Sequence, residues 1–402
     1  MTTPLSILDL SPVPSGGTTA DALRNTIDLA RAAEAAGYRR YWLAEHHLAP
    51  GVASSAPTVL IASVAAATER IRVGSGAVQL GHRTALSTVE EFGTLAALHP
   101  GRIDLGIGRS GQRRAAGAAP PARPGPSGAG QVAGGAVSSV AGQVAGGAGS
   151  SGAVPPPSGR GRAVGGLLIP PRFSAAGLLA SPRLAAQADL LHQPGAQPQD
   201  FADQVDTLLA LIEGRYRTAD GIDLHAHPGE GADAQLWILG SSGGQSAQLA
   251  GARGLPFAAN YHVSPATVLE AVEAYRAAFR PSATLSEPYV LVSADAVVGP
   301  DDGTARRLAA GYGAWVHSIR SGHGAIPYPS PEQAAAHRWT DEQRALVADR
   351  TDTRFVGSPE TVAARLRVLQ RVTGADELLV TTITHDHADR VRSYQLLAEV
   401  WR

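Results

Sequence analysis

Residues 57–76, PTVLIASVAAATERIRVGSG, pass from a helical to a strand-like pattern within one short connection. Pro57 to Glu69 predicts a helix, and Ile71-Arg72-Val73 opens a strand. The alternation extends in both directions. Upstream, Leu5 to Leu10 is a short apolar run ended by Ser11-Pro12, a buried-strand signal. Thr18 with Asp21 three residues on marks a helix start, and Leu23, Ile27, Ala30 and Ala33 recur at helical spacing before Gly37 as C-cap. Tyr41 to Ala44 gives the next strand. Downstream, Leu86 to Leu98 reads as a helix stopped by Pro100-Gly101, and Arg102 to Gly106 as a strand.

After Gln199 the pattern resumes. Helices over 199–213, 245–253 and 265–279 alternate with strands over 235–239, 255–259 and 289–294. Ser358 as N-cap and Pro359 at the first helical position open a helix that Gly374 ends. A strand over 377–382 and a helix over 386–401 follow. Roughly eight strands alternating with helices predict an α/β chain, a (β/α)8 TIM barrel forming a single domain over residues 1–402. A doubly wound open sheet is the alternative, because alternation alone does not show closure.

One stretch interrupts the pattern. Residues 111–166 are dominated by Gly, Ala, Pro, Ser and Val and contain a tandem duplication, QVAGGAVSSVAG at 131–142 followed by QVAGGAGSSGAV at 143–154. No acidic residue occurs from Leu105 through Ala188. So little side-chain surface cannot offset ordering entropy, so the stretch reads as a flexible loop insertion within the barrel.

Composition narrows the chemistry. The 402 residues include no cysteine and no lysine, so all 34 basic side chains are arginine, against 35 acids for a net charge of -1. That excludes a thiolate nucleophile, a cysteine metal site, a Schiff-base lysine and a phosphate-loop lysine. Near-neutral charge argues against nucleic acid as a partner. No apolar run spans a membrane and no basic, signal-like start precedes the first strand, so the expectation is a cytoplasmic protein.

In such a barrel the reactive groups collect where strands end. Those positions hold Asp9, Glu45-His46-His47, Gly74 to Ala77, Gly106 to Gly111, Gly240 to Ser246 (GSSGGQS), Asn260-Tyr261-His262 and His385-Asp386-His387. GSSGGQS runs from a strand into a helix, where free amides and the helix dipole favour an anion, and Arg109 suits a phosphate partner. His385 and His387 could share one face and invite a metal, but no full ligand set can be named, so none is expected. His225 and His227 read as surface residues.

Taken in order, SILDLSPV, GYRRYWLAEHH, ASSAPTVLIA, RIRVGSGAV and HPGRIDLGIGR resemble the bacterial luciferase-like, flavin-dependent oxidoreductases. LWILGSSGGQSAQLAGARGLPFA, RFVGSPETV and TGADELLVTTITHDHADRVRSYQLLAE extend the likeness. The resemblance implies a TIM barrel that binds reduced FMN, or alternatively a deazaflavin, at its mouth. It implies that His46 is catalytic, that Gly76-Ala77 forms a non-prolyl cis peptide behind the flavin ring, and that Arg109, Ser241, Ser242 and Ser246 lie near the flavin phosphate. Gln79-Leu80-Gly81-His82 departs from the family's usual run there. The implied activity is a monooxygenase that uses dioxygen on a small organic substrate, takes reduced flavin from a separate flavin reductase, and works as a homodimer. Hydride transfer from a deazaflavin and flavin binding without turnover are the alternatives.

Overall fold

The computed structural model describes residues 2–109, 161–192, 197 and 199–401. Eight parallel strands form the core: β1 (Leu5–Asp9), β2 (Arg40–Leu43), β3 (Arg72–Ser75), β4 (Ile103–Gly108), β5 (Ala234–Gly240), β6 (Phe257–Asn260), β7 (Val290–Val298) and β8 (Glu377–Thr381). Each pairs with the next. β8 returns to β1 through Leu5↔Leu378 and Ile7↔Val380. That pairing closes the ring and decides for the barrel over the open sheet.

The strands are apolar because both faces are covered. All nine residues of β7 are buried, and so are all five of β1 and β8. Glycines at the β3–β4 seam let the backbones approach. A Cβ added to Gly106 would lie 2.0 Å from the Ser75 carbonyl oxygen, and one on Gly74 would lie 2.3 Å from that of Asp104.

The helix signals hold at several ends. Thr18 accepts from the Asp21 amide, Gly37 ends the helix Thr19–Ala36 at φ 87, and Ser358 caps Pro359–Thr373, which Gly374 ends at φ 64. Strand β6 begins at Phe257, two residues later than the sequence pattern. Pro256 has no amide to offer a ladder, and the Leu255 amide instead bonds Ala250 O of the preceding helix at 2.9 Å.

Beneath the barrel, the N-terminal strand ends are filled by a buried ionic knot. Arg40 reaches Asp104 at 2.8 Å and Glu377 at 3.0 Å, and the Trp42 indole donates to Asp104 at 2.9 Å. Trp237 packs edge-on against Trp42 with ring centroids 5.1 Å apart. Burial works against the Arg40 charge, but the two carboxylates outweigh it and hold the guanidinium ionised.

Two additions frame the mouth. Residues 300–357, unassigned in the sequence pattern, contribute the helices Asp302–Leu308, Tyr312–Arg320, Pro331–Ala336 and Asp341–Thr351, then a strand Phe355–Gly357 that extends β7 through Ala296↔Phe355. A hairpin pairs Arg162–Val164 with Leu167–Ile169, turning at Gly165 and Gly166, and Tyr261 OH donates to Leu168 O at 2.7 Å. Residues 161–166 of the glycine-alanine insertion belong to that hairpin. Its tandem duplication lies outside the described residues.

Candidate active site

The C-terminal ends of the strands surround a cleft with about 900 Å³ of non-atom space, open solvent at its mouth included. His46, Gly76, Ala77, Arg109, Ser241, Ser242 and Ser246 all line it. They come from the ends of β2, β3, β4 and β5 and from the helix that follows β5, so residues 200 positions apart in sequence share one space.

Hydrogen-bond donors gather in the lining. Gly244 precedes the helix Gln245–Ala252, no side chain among the described residues caps that helix, and both Gly244 and Ser246 line the cleft with the hydroxyls of Ser241 and Ser242. Arg109, just beyond β4, donates from Nη1 to Gln245 Oε1 at 3.1 Å. Gln245 Nε2 in turn donates to Asp200 at 3.1 Å, and Asp200 caps the helix Phe201–Ile212. The donor set is a guanidinium, three hydroxyls and helix-start amides, which suits a phosphate. The one carboxylate in the cleft lining, Glu45, is fully engaged elsewhere.

The middle is a slot with apolar walls, Leu8, Ala77, Leu239, Ala258 and Leu379. The Gly76–Ala77 peptide bond is cis. A Cβ at Gly76 would approach Leu8 Cδ1 to 2.8 Å and Trp42 Cε3 to 3.2 Å, so glycine keeps this wall flat.

His46 and His262 also line the cleft. Burial, then the neighbouring His47, push the His46 imidazole down to about 4, with Glu45 pulling the other way. Burial, then Arg350 and His46, push His262 down to about 3. His262 Nδ1 lies 2.7 Å from Ser293 Oγ. Both rings are therefore neutral at neutral pH.

Beneath His46 lies Glu45. His47 Nε2 lies 2.9 Å and His82 Nε2 3.0 Å from Glu45 Oε1, Arg83 Nη2 donates to the same oxygen at 3.2 Å, and the Gln79 amide donates to Oε2 at 2.8 Å. Burial raises the Glu45 pKa, but these donors outweigh it and hold the carboxyl well below its usual range. Glu45, His47 and His82 bring their ligand atoms within 4.8 Å of one another, the one such group among the described residues. The Arg83 guanidinium already supplies a cation there.

Other strand-end candidates scatter. Asp9 is buried against Arg390, Tyr41 and Thr26 and ties the barrel to its last helix. His385 Nε2 lies 3.0 Å from Ser15 O, whereas His387 Nε2 lies 2.8 Å from Asp28 Oδ2, so these two rings serve different partners. His225 and His227 are exposed. Asn260, His262 and Ser293 join the cleft. The strand-end rule pointed to the first two, and nothing in the sequence singled out Ser293.

A closed parallel barrel with a donor-lined, partly apolar cleft at its C-terminal mouth defines a TIM barrel. The family model for luciferase-like monooxygenases matches residues 3–125 and 159–377, and the chain belongs to that family. It is 36% identical over 401 residues to YvbT, an uncharacterized protein of Bacillus subtilis, covering 99% of this chain and 96% of that one. It is 31% identical over 399 residues to a luciferase-like monooxygenase of Escherichia coli K12, covering 98% and 96%. Among solved structures, apo-MsnO8 matches with a TM-score of 0.73 at 30% identity, over 100% of this chain and 98% of that one. Two more distant structures share the fold. One is the oxygenating constituent of 3,6-diketocamphane monooxygenase from Pseudomonas putida in complex with FMN (TM-score 0.57, 18% identity, 99% and 98% covered). The other is an F420-dependent secondary alcohol dehydrogenase (TM-score 0.58, 13% identity, 100% and 100% covered).

Proposed function

We propose that the protein is a flavin-dependent monooxygenase that uses reduced FMN and dioxygen to oxidise a small organic substrate. One observation carries the reading: seryl and arginyl donors that suit a phosphate, apolar side chains and His46 all line a single cleft. In this reading Arg109, Ser241, Ser242 and Ser246 hold the FMN phosphate, and Gly76 and Ala77 back the ring. Bound flavin supplies the redox chemistry. The chain's residues position it, exclude water and manage a proton. His46, neutral at neutral pH, enters as a proton acceptor at its imidazole. The apolar walls keep water from the reacting atoms.

The proposal includes a separate flavin reductase that delivers reduced FMN, a single barrel domain over residues 1–402 interrupted at 111–166, and a cytoplasmic setting. No helix among the described residues is long and apolar enough to cross a membrane. It also includes a homodimer. Val59 on the helix Pro57–Ala66 is exposed.

Titration of the purified protein with reduced FMN and with reduced deazaflavin, with and without oxygen, tests the reading. Saturable binding of reduced FMN, with oxygen-dependent product formed from an organic substrate panel, is the expected result. Anaerobic bleaching of bound deazaflavin would replace oxygenation by hydride transfer. Binding of neither would overturn the proposal.

A further inference from the structure

A second chamber opens beside the cleft. It is narrow, about 430 Å³ of non-atom space with open solvent counted, so it admits a small headgroup rather than a whole chain, and it shares Leu8, Ala44, His46, Gly76 and His262 with the first. Its remaining walls come partly from the segment 300–357, through Trp315 and Arg350, and partly from Asp295 on β7 and Thr381 on β8. Most of the lining is apolar, including Leu10, Val263 and Ile383. We propose that this chamber binds the anionic headgroup of an organic acid, a carboxylate or a sulfonate on an apolar chain, with Arg350 as its counter-ion. This rests on the monooxygenase reading for its meaning, since the bound acid would be the substrate.

The charge count points to it. Arg350 is only 5% exposed, and its Nε and Nη2 both donate to one neutral group, the Tyr312 hydroxyl, at 3.2 and 2.7 Å. Burial, the largest influence, pushes that phenol up to about 12, so it carries no charge to offset the guanidinium. The nearby carboxylate, Asp295, is paired to Arg354 at 2.6 Å. Asp295 thus pairs with Arg354, and among the described residues no acid pairs with the buried Arg350. The undescribed stretch 110–160 cannot supply one, for it contains four arginines and no acidic residue. A buried, uncompensated cation is costly, and an entering anion relieves that cost.

Hydrogen-bond donors support the same occupant. Trp315 and Thr381 are each 2% exposed and line the chamber. The indole Nε1 and the hydroxyl Oγ1 have no partner among the described residues. Buried donors left unsatisfied call for a partner, and two of them open into this one chamber. The neutral His46 and His262 rings face the same space, so they add no competing charge.

Calorimetry on the flavin-free chain tests the inference with hexanoate, hexanesulfonate and the uncharged hexanamide. At least one anion should bind about tenfold more tightly than the amide. Whichever anion binds better identifies the headgroup. Arg350→Gln should abolish the preference while leaving hexanamide binding and FMN affinity unchanged, and Arg350→Lys should retain it in part. Equal binding of the anions and the amide by the unaltered chain overturns the proposal, a result that stands even if Arg350→Gln fails to fold. So does an Arg350→Gln protein that keeps the preference, or one that loses FMN instead. Anion preference without any FMN binding would retain the subsite while removing the flavin reading, so the two failures are separable.

Discussion

Arg109 and Gln245, 136 residues apart, are joined by a hydrogen bond of 3.1 Å between Nη1 and Oε1. The bond fixes the guanidinium beside the start of the helix Gln245–Ala252, where a phosphate would meet both. Replacing Arg109 with Gln removes the charge and keeps much of the side-chain length. FMN affinity should fall by about tenfold or more, corresponding to roughly 1.5–3 kcal/mol for a charge-assisted hydrogen bond. Fluorescence titration measures it, and an unchanged dissociation constant would show that Arg109 does not hold the phosphate.

Ser246→Asp makes the complementary test. Ser246 lies at the first turn of that helix, 7% exposed, facing the cleft. A carboxylate at a helix start favours the free protein through the dipole but repels a phosphate. The melting temperature should hold or rise while FMN binding drops sharply. A variant that binds FMN as before would mean the phosphate lies elsewhere.

For His46, substitution by Asn should leave FMN affinity within about twofold and lower turnover by about 10²-fold or more, the scale of general acid–base catalysis. Stopped-flow rates on a substrate found in the panel read this directly. A variant turning over at the original rate would show that the imidazole moves no proton in the reaction.

The same histidines set an acid limit on stability. Both are shifted down from the ordinary 6.5, His46 to about 4 and His262 to about 3, so the unfolded chain binds protons that the folded one refuses. Their contribution is fully present above about pH 6.5 and is lost as pH falls towards those values. By pH 5 the loss reaches at most about 2 kcal/mol per ring. Thermal melts from pH 7.5 to 5 should show the decline, and His262→Gln should flatten it. A His262→Gln profile parallel to that of the unaltered chain would refute the assignment.

Glu45 anchors the floor under His46. Replacing it with Ala strands Arg83 and both histidines and should cost about 3–5 kcal/mol, the scale for one partner lost from a buried ion pair. Urea denaturation measures it. Arg83 also reaches Glu91 at 3.0 Å, so Arg83→Met should cost less than Glu45→Ala. The opposite order would mean that Glu45 is not the hub.

Strand order and helix ends were legible in the sequence because each depends on local signals. The apolar runs of β1 and β8, Thr18 before Asp21, and Gly37 and Gly374 as left-handed caps are examples. Closure was not local: it rests on Leu5 meeting Leu378. That His46, Arg109, Ser241, Ser242 and Ser246 share one cleft was legible because the barrel's topology brings strand ends together, whatever their spacing. Arg350 was not. The helix DEQRALVADRT around it reads as a solvated, charged face, and only the packing of Tyr312 and Trp315 over that helix buries one of its arginines. Glu45 as a hub was equally hidden, since His82 and Arg83 reach it from 37 and 38 residues away.

The knot of Arg40, Asp104 and Glu377, with the two tryptophans above it, gives the barrel a sealed floor. In the proposed reaction flavin, oxygen and organic acid would all arrive through the same rim, and product would depart by it. Arrival order then becomes a property of the architecture: whichever molecule settles across the slot first governs the passage of the next.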